Sequence, residues 1–311
     1  MVIEMKPKIP RVIDNNSLHK IKLSKIMSVL TVSFKSYLLV FLCLCFVFSA
    51  VLLQLSFGAN ARWLADHETG DLSQWTQDGP YGSRGGSFDS GDCTRPPKGV
   101  TAEQAFSGSY SMKMSIGPGG GCRQFRHAES TSGKAFYYSA WLYFPKLYSI
   151  GSWSNIFQFK SETSSQNDAV WVLELRNRSN GAMYLMLRWK GIMAGPTEGE
   201  GTGLKHFHQT LKDVWVGKWF HVEVYLKQAS DYTGRITVWQ DGVQIYDKNN
   251  VKTKYPGGDN RWSLNAYGGG ISPLPFTVYV DDAVVSTSRI GPAENPDRNP
   301  PSAPSRLRIT N

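Results

Sequence analysis

Cysteine is scarce in this sequence, and its positions exclude a cysteine-based metal centre. Four of the 311 residues are Cys. Cys43 and Cys45 lie in an apolar stretch, so Cys93 and Cys122 remain for the rest of the chain, without the paired Cys/His spacing of a zinc site. An even pair in an oxidising compartment predicts one structural disulfide, Cys93–Cys122.

Basic runs are absent from the body of the chain, which argues against a nucleic-acid partner. The formal net charge is +9. Residues 1–61 carry seven basic and two acidic side chains, so five of the nine net positive charges belong to this segment. Because no Lys/Arg run remains beyond this segment, the sequence does not predict the positively charged patch that binds a nucleic-acid backbone.

Charged residues are missing from positions 36–57, a stretch rich in Leu, Val and Phe that follows a basic region. Ala59-Asn60-Ala61 comes next, with the small-residue pattern that signal peptidase cleaves. We therefore interpret residues 1–61 as a signal peptide and expect the rest to be secreted, either extracellular or periplasmic. Since the apolar core is near spanning length, a single-pass anchor is the alternative, with the membrane contacted only through this segment.

Long helical periodicity is also missing, and most of the chain alternates between apolar and polar residues over short stretches. Frequent Gly-rich turns separate these stretches, as at Asp241-Gly242, a strong two-residue hairpin signal. We predict one all-β domain over residues 62–292, a two-sheet β-sandwich, followed by a Pro-rich linker over 293–311. The one weak helical pattern lies around 203–213.

Three strand candidates occupy the centre of the chain, at 153–160, 169–178 and 181–190. On the first, Ile156, Gln158 and Lys160 share one face. The other polar positions are Glu174, Arg176, Tyr184 and Arg188. The alternation predicts a sheet with one apolar and one polar face.

The polar face has two interpretations. Such faces are solvated in most sandwiches, but planar Arg forks, Lys and Tyr are also the groups that a uronic acid polymer needs. If the three strands are neighbours, Arg176 and Arg188 would clamp a carboxylate and Glu174 would orient Arg176. Gln158 and Tyr184 would complete the substrate-binding set.

A long Gly-rich segment, 191–213, follows these strands and contains His206 and His208. Loops of this length are often functional. The two histidines are either surface residues on a loop, proton-transfer groups, or metal ligands for which no third ligand is evident.

The order of motifs resembles that of the concanavalin A-like jelly-roll polysaccharide lyases, a group that includes heparin lyase I and glucuronan lyase. The resemblance covers most of residues 65–290. It rests on HETGDLSQW (67–75), QAFSGSYSMKMSI (104–116), WSNIFQFK (153–160), GKWFHVEVYLKQASDYTGRITVWQDGVQIYD (217–247), WSLNAYGGG (262–270) and VYVDDAVV (278–285). It implies a two-sheet jelly roll with a glycan groove on its concave face.

The resemblance also implies site residues. The family's strand that matches FQFK usually carries a catalytic His after the Gln, and here Lys160 stands at that position. Tyr267 matches the family's catalytic Tyr. Jelly rolls with similar termini often hold a structural Ca²⁺, for which Glu68 and Asp281 are the expected ligands and Asp71 a weaker one. No organic cofactor is expected.

A second acidic residue is missing from the strands that carry Glu174 and Glu223, which disfavours a retaining glycosidase. A lyase instead neutralises a uronate carboxylate, removes the C5 proton and protonates the leaving oxygen. We assign proton transfer to Lys160, Tyr267 and His208. The sequence thus predicts an exported, monomeric lyase-like protein that binds an acidic polysaccharide and, if it is catalytic, cleaves it by β-elimination. The alternatives are a non-catalytic carbohydrate-binding module, which the Lys at position 160 favours, and a cell-surface adhesion domain.

Overall fold

A computed structural model describes residues 61–75, 99–118, 120–127, 134–190 and 204–292. All of them belong to the unit Asn60–Asn311. The predicted signal or anchor core at 36–57, Cys93 and the linker 293–311 lie outside the described residues. Within the described ranges, no helix has both the length and the hydropathy needed to cross a membrane.

The described residues form β-strands and one short 3-10 helix, Ser73–Trp75. The strands are β1 (Ala61–Ala65), β2 (Val100–Thr101), β3 (Ser111–Ile116), β4 (Gly121–His127), β5 (Ala135–Tyr143), β6 (Ser149–Glu162), β7 (Asn167–Asn177), β8 (Met183–Lys190), β9 (Leu204–Phe207), β10 (Trp219–Lys227), β11 (Gly234–Gln240), β12 (Val243–Val251), β13 (Asp259–Ser272) and β14 (Phe276–Ser286). The all-β expectation is therefore confirmed.

The strands of the described ranges make two antiparallel sheets. Sheet A has the order β12-β11-β10-β5-β14-β3-β2, with β1 also paired to β14, and sheet B has the order β4-β13-β6-β7-β8-β9. Apolar side chains of both sheets belong to one buried cluster. The architecture is thus a β-sandwich, and its first and last strands, β1 and β14, lie side by side.

Alternation along the central strands decides which side chains enter the core. On β10, every second residue, Phe220, Val222, Val224 and Leu226, is buried in the core cluster. Trp171, Leu173 and Leu175 of β7 join the same cluster. Burying each such side chain stabilises the fold by about 1.5–3 kcal/mol.

The turn between β11 and β12 is a hairpin, as predicted. Asp241 has φ 49° and Gly242 has φ 76°, which is the conformation at both central positions of a type I′ turn. Glycine adopts it without a Cβ clash and Asp tolerates it, so this dipeptide sets the register of β11 against β12.

Two local expectations were wrong. The helical pattern around 203–213 contains strand β9 instead, which pairs with β8 from Leu187↔Phe207 to Lys190↔Leu204. Completing the hydrogen bonds of β8 outweighs a weak local preference. Ile156 lies in the core cluster rather than beside Gln158, because the register between β6 and β13 shifts near this point.

Candidate functional site

The polar side chains of sheet B form one continuous surface. The pairings β6–β7 and β7–β8 confirm that the three central strands are neighbours, and β13 and β4 extend the surface beyond β6. We call this surface the polar face. Its side chains are Arg123, Phe125, Asn155, Gln158, Lys160, Glu174, Arg176, Tyr184, Arg188, Arg261, Ser263, Asn265 and Tyr267.

The polar face is recessed rather than openly solvated. Gln158 is 1% exposed and Glu174 is 2% exposed. Ser263 and Asn265 are fully buried. These low exposures disfavour the interpretation of the polar face as a solvated outer face. Burying polar groups is costly unless they are hydrogen-bonded.

Glu174 holds two arginines at the centre of the polar face. Its Oε2 accepts hydrogen bonds from Nε (3.0 Å) and Nη2 (2.6 Å) of Arg176. Its Oε1 accepts from Nε of Arg188 at 2.6 Å. The carboxylate therefore orients both guanidinium groups, including Arg176 as the sequence suggested.

The two arginines differ in what they have left to offer. Arg176 also donates through Nη1 to the carbonyl of Ser152, so all three of its nitrogens contact the protein. The terminal Nη atoms of Arg188 have no partner among the described residues. Arg188 is consequently the better placed of the two to bind a ligand carboxylate.

Gln158 lies at the end of a chain of buried polar side chains. Asn155 donates through Nδ2 to Gln158 Oε1 at 2.5 Å, and Asn265 donates through Nδ2 to Asn155 Oδ1 at 2.6 Å. Ser263 donates to Asn265 Oδ1 at 2.8 Å. Within the described part of the chain, Gln158 Nε2 is buried without a hydrogen-bond partner.

Lys160 follows two positions after Gln158 and is paired with Arg261 across β6 and β13. Burial, followed by the positive charges of Arg123 and Arg261, lowers the pKa of Lys160 to about 8, against the opposing effect of nearby carboxylates. Part of the amine population is thus unprotonated near neutral pH. A group with these properties suits a general base.

Tyr267 lies on the opposite side of Gln158 from Lys160. It pairs with Asn155, whereas Lys160 pairs with Arg261; five positions on β6 separate these levels, roughly 16 Å at about 3.3 Å per residue. The Arg123 guanidinium lies over the Tyr267 ring at 4.7 Å. Tyr267 and Lys160 therefore flank the carboxamide instead of touching each other.

The two histidines lie near the β8 edge of the polar face. His208 Nδ1 and the Tyr184 hydroxyl are 2.7 Å apart. His206 pairs with Arg188 across β8 and β9, and burial, together with the charges of Arg176 and Arg188, lowers its pKa despite the opposing charge of Glu174. No group of three or more metal-type ligands exists among the described residues.

Glu68 and Asp281 are anchored to one turn. Glu68 Oε1 accepts hydrogen bonds from the backbone N–H groups of Ser109 and Tyr110, at 2.9 and 2.8 Å. Asp281 Oδ2 accepts from those of Phe106 and Ser107, at 2.8 and 3.2 Å.

These contacts make the two carboxylates structural links between distant segments. A cation would have to share them with the turn, so calcium stays a prediction. Cys122 is buried and disulfide-bonded, but Cys93 lies outside the described residues and their pairing also stays a prediction.

Sequence reasoning missed most of the part of the polar face that β4 and β13 supply, although it proposed Tyr267 of β13. Arg123, Phe125, Arg261, Ser263 and Asn265 were not proposed. The alternation of Trp262, Leu264 and Ala266, which enter the core, is the signal that could have found the last three.

Comparison with known proteins gives one family and several related folds. The model of the family described as polysaccharide lyase matches residues 67–266. The structure of endo-β-1,4-glucuronan lyase from the fungus Trichoderma reesei is similar at 18% identity, covering 73% of this chain and 96% of that one, with a TM-score of 0.53. At this identity the likeness supports the fold. Among curated proteins, none matches.

Two alginate lyases are also similar in structure. Aly36B shares 14% identity over 70% of this chain and 96% of its own, with a TM-score of 0.47. For vAL-1 from Chlorella virus the values are 12%, 60% and 90%, with a TM-score of 0.45.

Proposed function

Because the chain belongs to the polysaccharide lyase family, we propose that it binds an acidic, uronate-containing polysaccharide on the polar face and cleaves it by β-elimination. The related folds include enzymes named for glucuronan and alginate, both uronate polymers. The observation that carries the proposal is that Gln158 Nε2 is a buried donor with no partner among the described residues, two positions before Lys160, whose pKa is about 8.

Each side chain has a role in this proposal. Gln158 Nε2 and the terminal nitrogens of Arg188 bind the uronate carboxylate. They stabilise the negative charge that develops when the C5 proton leaves, and so lower the pKa of the C5–H group. The neutral amine of Lys160 removes the C5 proton. Tyr267, on the other side of Gln158, protonates the leaving glycosidic oxygen. Glu174 keeps Arg188 oriented.

The decisive experiment incubates the protein with a panel of polyglucuronate, alginate and other uronic acid polymers. Cleavage by β-elimination creates an unsaturated uronate, which is followed by ultraviolet absorbance. Turnover of at least one polymer, lost in Gln158→Leu, supports the proposal. If polymer chains shorten without new unsaturated ends, the reaction is a different one.

A non-catalytic binding module is the second candidate, and Lys160 itself favours it. A lysine with a pKa of about 8 is mostly protonated at pH 7 and then serves as a cation for a polyanion instead of a base. This candidate predicts retention of acidic polymers on affinity gels without any unsaturated product at pH 7 or at pH 9.

Export and calcium binding belong to the same proposal. Secretion through residues 1–61 would place the domain where extracellular polysaccharides occur, and detection of a mature N-terminus after Ala61 would support cleavage over anchoring. A Ca²⁺ ion at Glu68 and Asp281 would add to the links that these carboxylates already make with the 106–110 turn.

A further inference from the structure

We infer that Ser263, Asn265 and Asn155 form an amide relay that fixes the orientation of the Gln158 carboxamide and thereby makes the site select an ionised acid group over a neutral hydroxyl. The inference rests on the proposed function and adds a basis for its specificity. All four side chains are buried, with exposures of 0, 0, 3 and 1% in the order Ser263, Asn265, Asn155 and Gln158.

The relay has a direction because a carboxamide donates only through nitrogen and accepts only through oxygen. Ser263 donates to Asn265 Oδ1 at 2.8 Å. The amide of Asn265 is thereby oriented with Nδ2 toward Asn155 Oδ1, at 2.6 Å. The same step repeats from Asn155 Nδ2 to Gln158 Oε1, at 2.5 Å.

The result at the end of the relay is a donor without a partner. Gln158 Oε1 is occupied, and Nε2 is buried with no hydrogen bond inside the described ranges. A buried, unsatisfied donor is unfavourable, so a ligand that supplies an acceptor here gains what the free protein lacks. An ionised carboxylate is such an acceptor and carries no competing donor.

The reverse direction would give the opposite preference. A serine hydroxyl can also accept. If Ser263 accepted from Asn265 Nδ2, each following amide would turn over, and Gln158 would present Oε1 to the ligand. That oxygen repels a carboxylate and binds a sugar hydroxyl. Ser263 is therefore a positioning residue that acts on the ligand through Gln158.

The first test measures selectivity, using Ser263→Ala and a matched control, Ser154→Ala. Ser154 is fully buried on β6, and among the described residues its hydroxyl bonds only the backbone of Leu175 (2.8 and 2.7 Å). Affinities are measured for polyglucuronate and for its carboxyl-reduced, neutral product. We expect Ser263→Ala to lower the ratio of the two affinities at least tenfold. Ser154→Ala should lower the Tm without changing that ratio.

The second test reads the direction of the relay without any ligand. Side-chain amide NMR detects couplings across hydrogen bonds. The relay predicts couplings from Asn155 Nδ2 to the Gln158 side-chain carbonyl carbon and from Asn265 Nδ2 to that of Asn155. In Ser263→Ala the direction should no longer be fixed, and the Gln158 amide signals should shift.

The outcomes separate this inference from the proposed function. Couplings from Gln158 Nε2 to Asn155 would overturn the relay whatever the protein binds. An unchanged affinity ratio in Ser263→Ala would overturn its role in selectivity. If the wild type binds no acidic polymer, the proposed function and the selectivity role fail together, while the direction of the hydrogen bonds is still decided by the couplings.

Discussion

At the scale of single residues, the charged side chains of the polar face differ in their surroundings and therefore in the roles that we propose for them. Lys160 has a lowered pKa because it is partly buried beside two arginines. Arg176 and Arg188 share one carboxylate. The local environment of each side chain, and not its residue type alone, thus decides its proposed role. Lys160 is the base, Arg188 binds the ligand carboxylate, and Arg176 mainly supports the structure.

Replacing Lys160 with Arg should separate turnover from binding. Arginine keeps the positive charge but stays protonated at all working pH values. We expect Lys160→Arg to lower kcat at least a hundredfold while the affinity for polyglucuronate changes little. In the wild type, kcat/KM should rise about tenfold per pH unit up to about pH 8 and then level off, since only the neutral amine accepts a proton. A profile that is flat from pH 6 to 9 would remove Lys160 from the role of base.

Arg188 and Arg176 should respond differently to truncation. Arg188→Ala removes the guanidinium with terminal nitrogens left for a ligand, and should weaken polymer binding by about 1.5–3 kcal/mol, as for a charged hydrogen bond. Arg176→Ala mainly breaks contacts with Glu174 and Ser152, so urea denaturation should show the larger loss of stability in this variant. Equal loss of affinity in both would show that both arginines bind the ligand.

At the scale of elements, the segment after β14 is tied back onto sheet A by a buried carboxylate. Glu223 of β10 is fully buried. It accepts hydrogen bonds from the backbone N–H of Ile290 at 2.6 Å and of Gly291 at 3.3 Å. Arg289 adds an Nε contact to the same carboxylate at 3.3 Å and covers the Trp239 ring at 4.5 Å.

Glu223→Gln should therefore destabilise the domain without affecting the polar face. The amide keeps one acceptor and loses the charge, and we expect a loss of about 1–3 kcal/mol in the free energy of unfolding. Asp247→Asn is the control, because the Asp247–Arg235 pair is partly exposed and such pairs contribute about 0–1 kcal/mol. Equal midpoints in urea for the two variants would contradict the anchoring role.

The elements also show what the sequence could and could not predict. On β10, and on β7 from Trp171 to Arg176, residues that enter the core alternate regularly with residues that do not, so the local pattern is enough to identify the two faces. The Gly-rich residues GPGGGC (117–122) lead into β4 and obscured its strand pattern, although Arg123 and Phe125 alternate with Cys122 and Gln124. The register shift between Leu264 and Tyr267 depends on pairing with β6, and a single chain does not encode such an offset in its local pattern.

At the scale of the whole molecule, the two ends of the domain are joined through carboxylates that bridge distant segments. Glu68 and Asp281 both bind the turn at 106–110. Asp282, beside them, has its pKa raised to about 7, chiefly by burial and then by the charge of Asp281. Excess negative charge at such a junction is a condition that a divalent cation would relieve.

Chelation tests the calcium prediction directly. If Ca²⁺ binds at Glu68 and Asp281, excess chelator should lower the Tm, and calcium in excess should restore it, because a ligand that binds only the folded state stabilises it. Glu68→Gln should remove the response to calcium, whereas Glu103→Gln, a change at a partly exposed acid that contacts Lys113, should leave it intact. An unchanged Tm in chelator would mean that the carboxylates serve the turn alone.

The pairing of β1 with β14 has a mechanical consequence. Ala61 lies opposite Ser286, and the register runs inward from there to Ala65↔Ala283. A force applied between these two ends acts at the same end of an antiparallel pair, so the interstrand hydrogen bonds would be loaded one after another instead of together. A domain stretched between its two ends would therefore lose the contacts of residues 289–291 with Glu223 and then peel open along this strand pair.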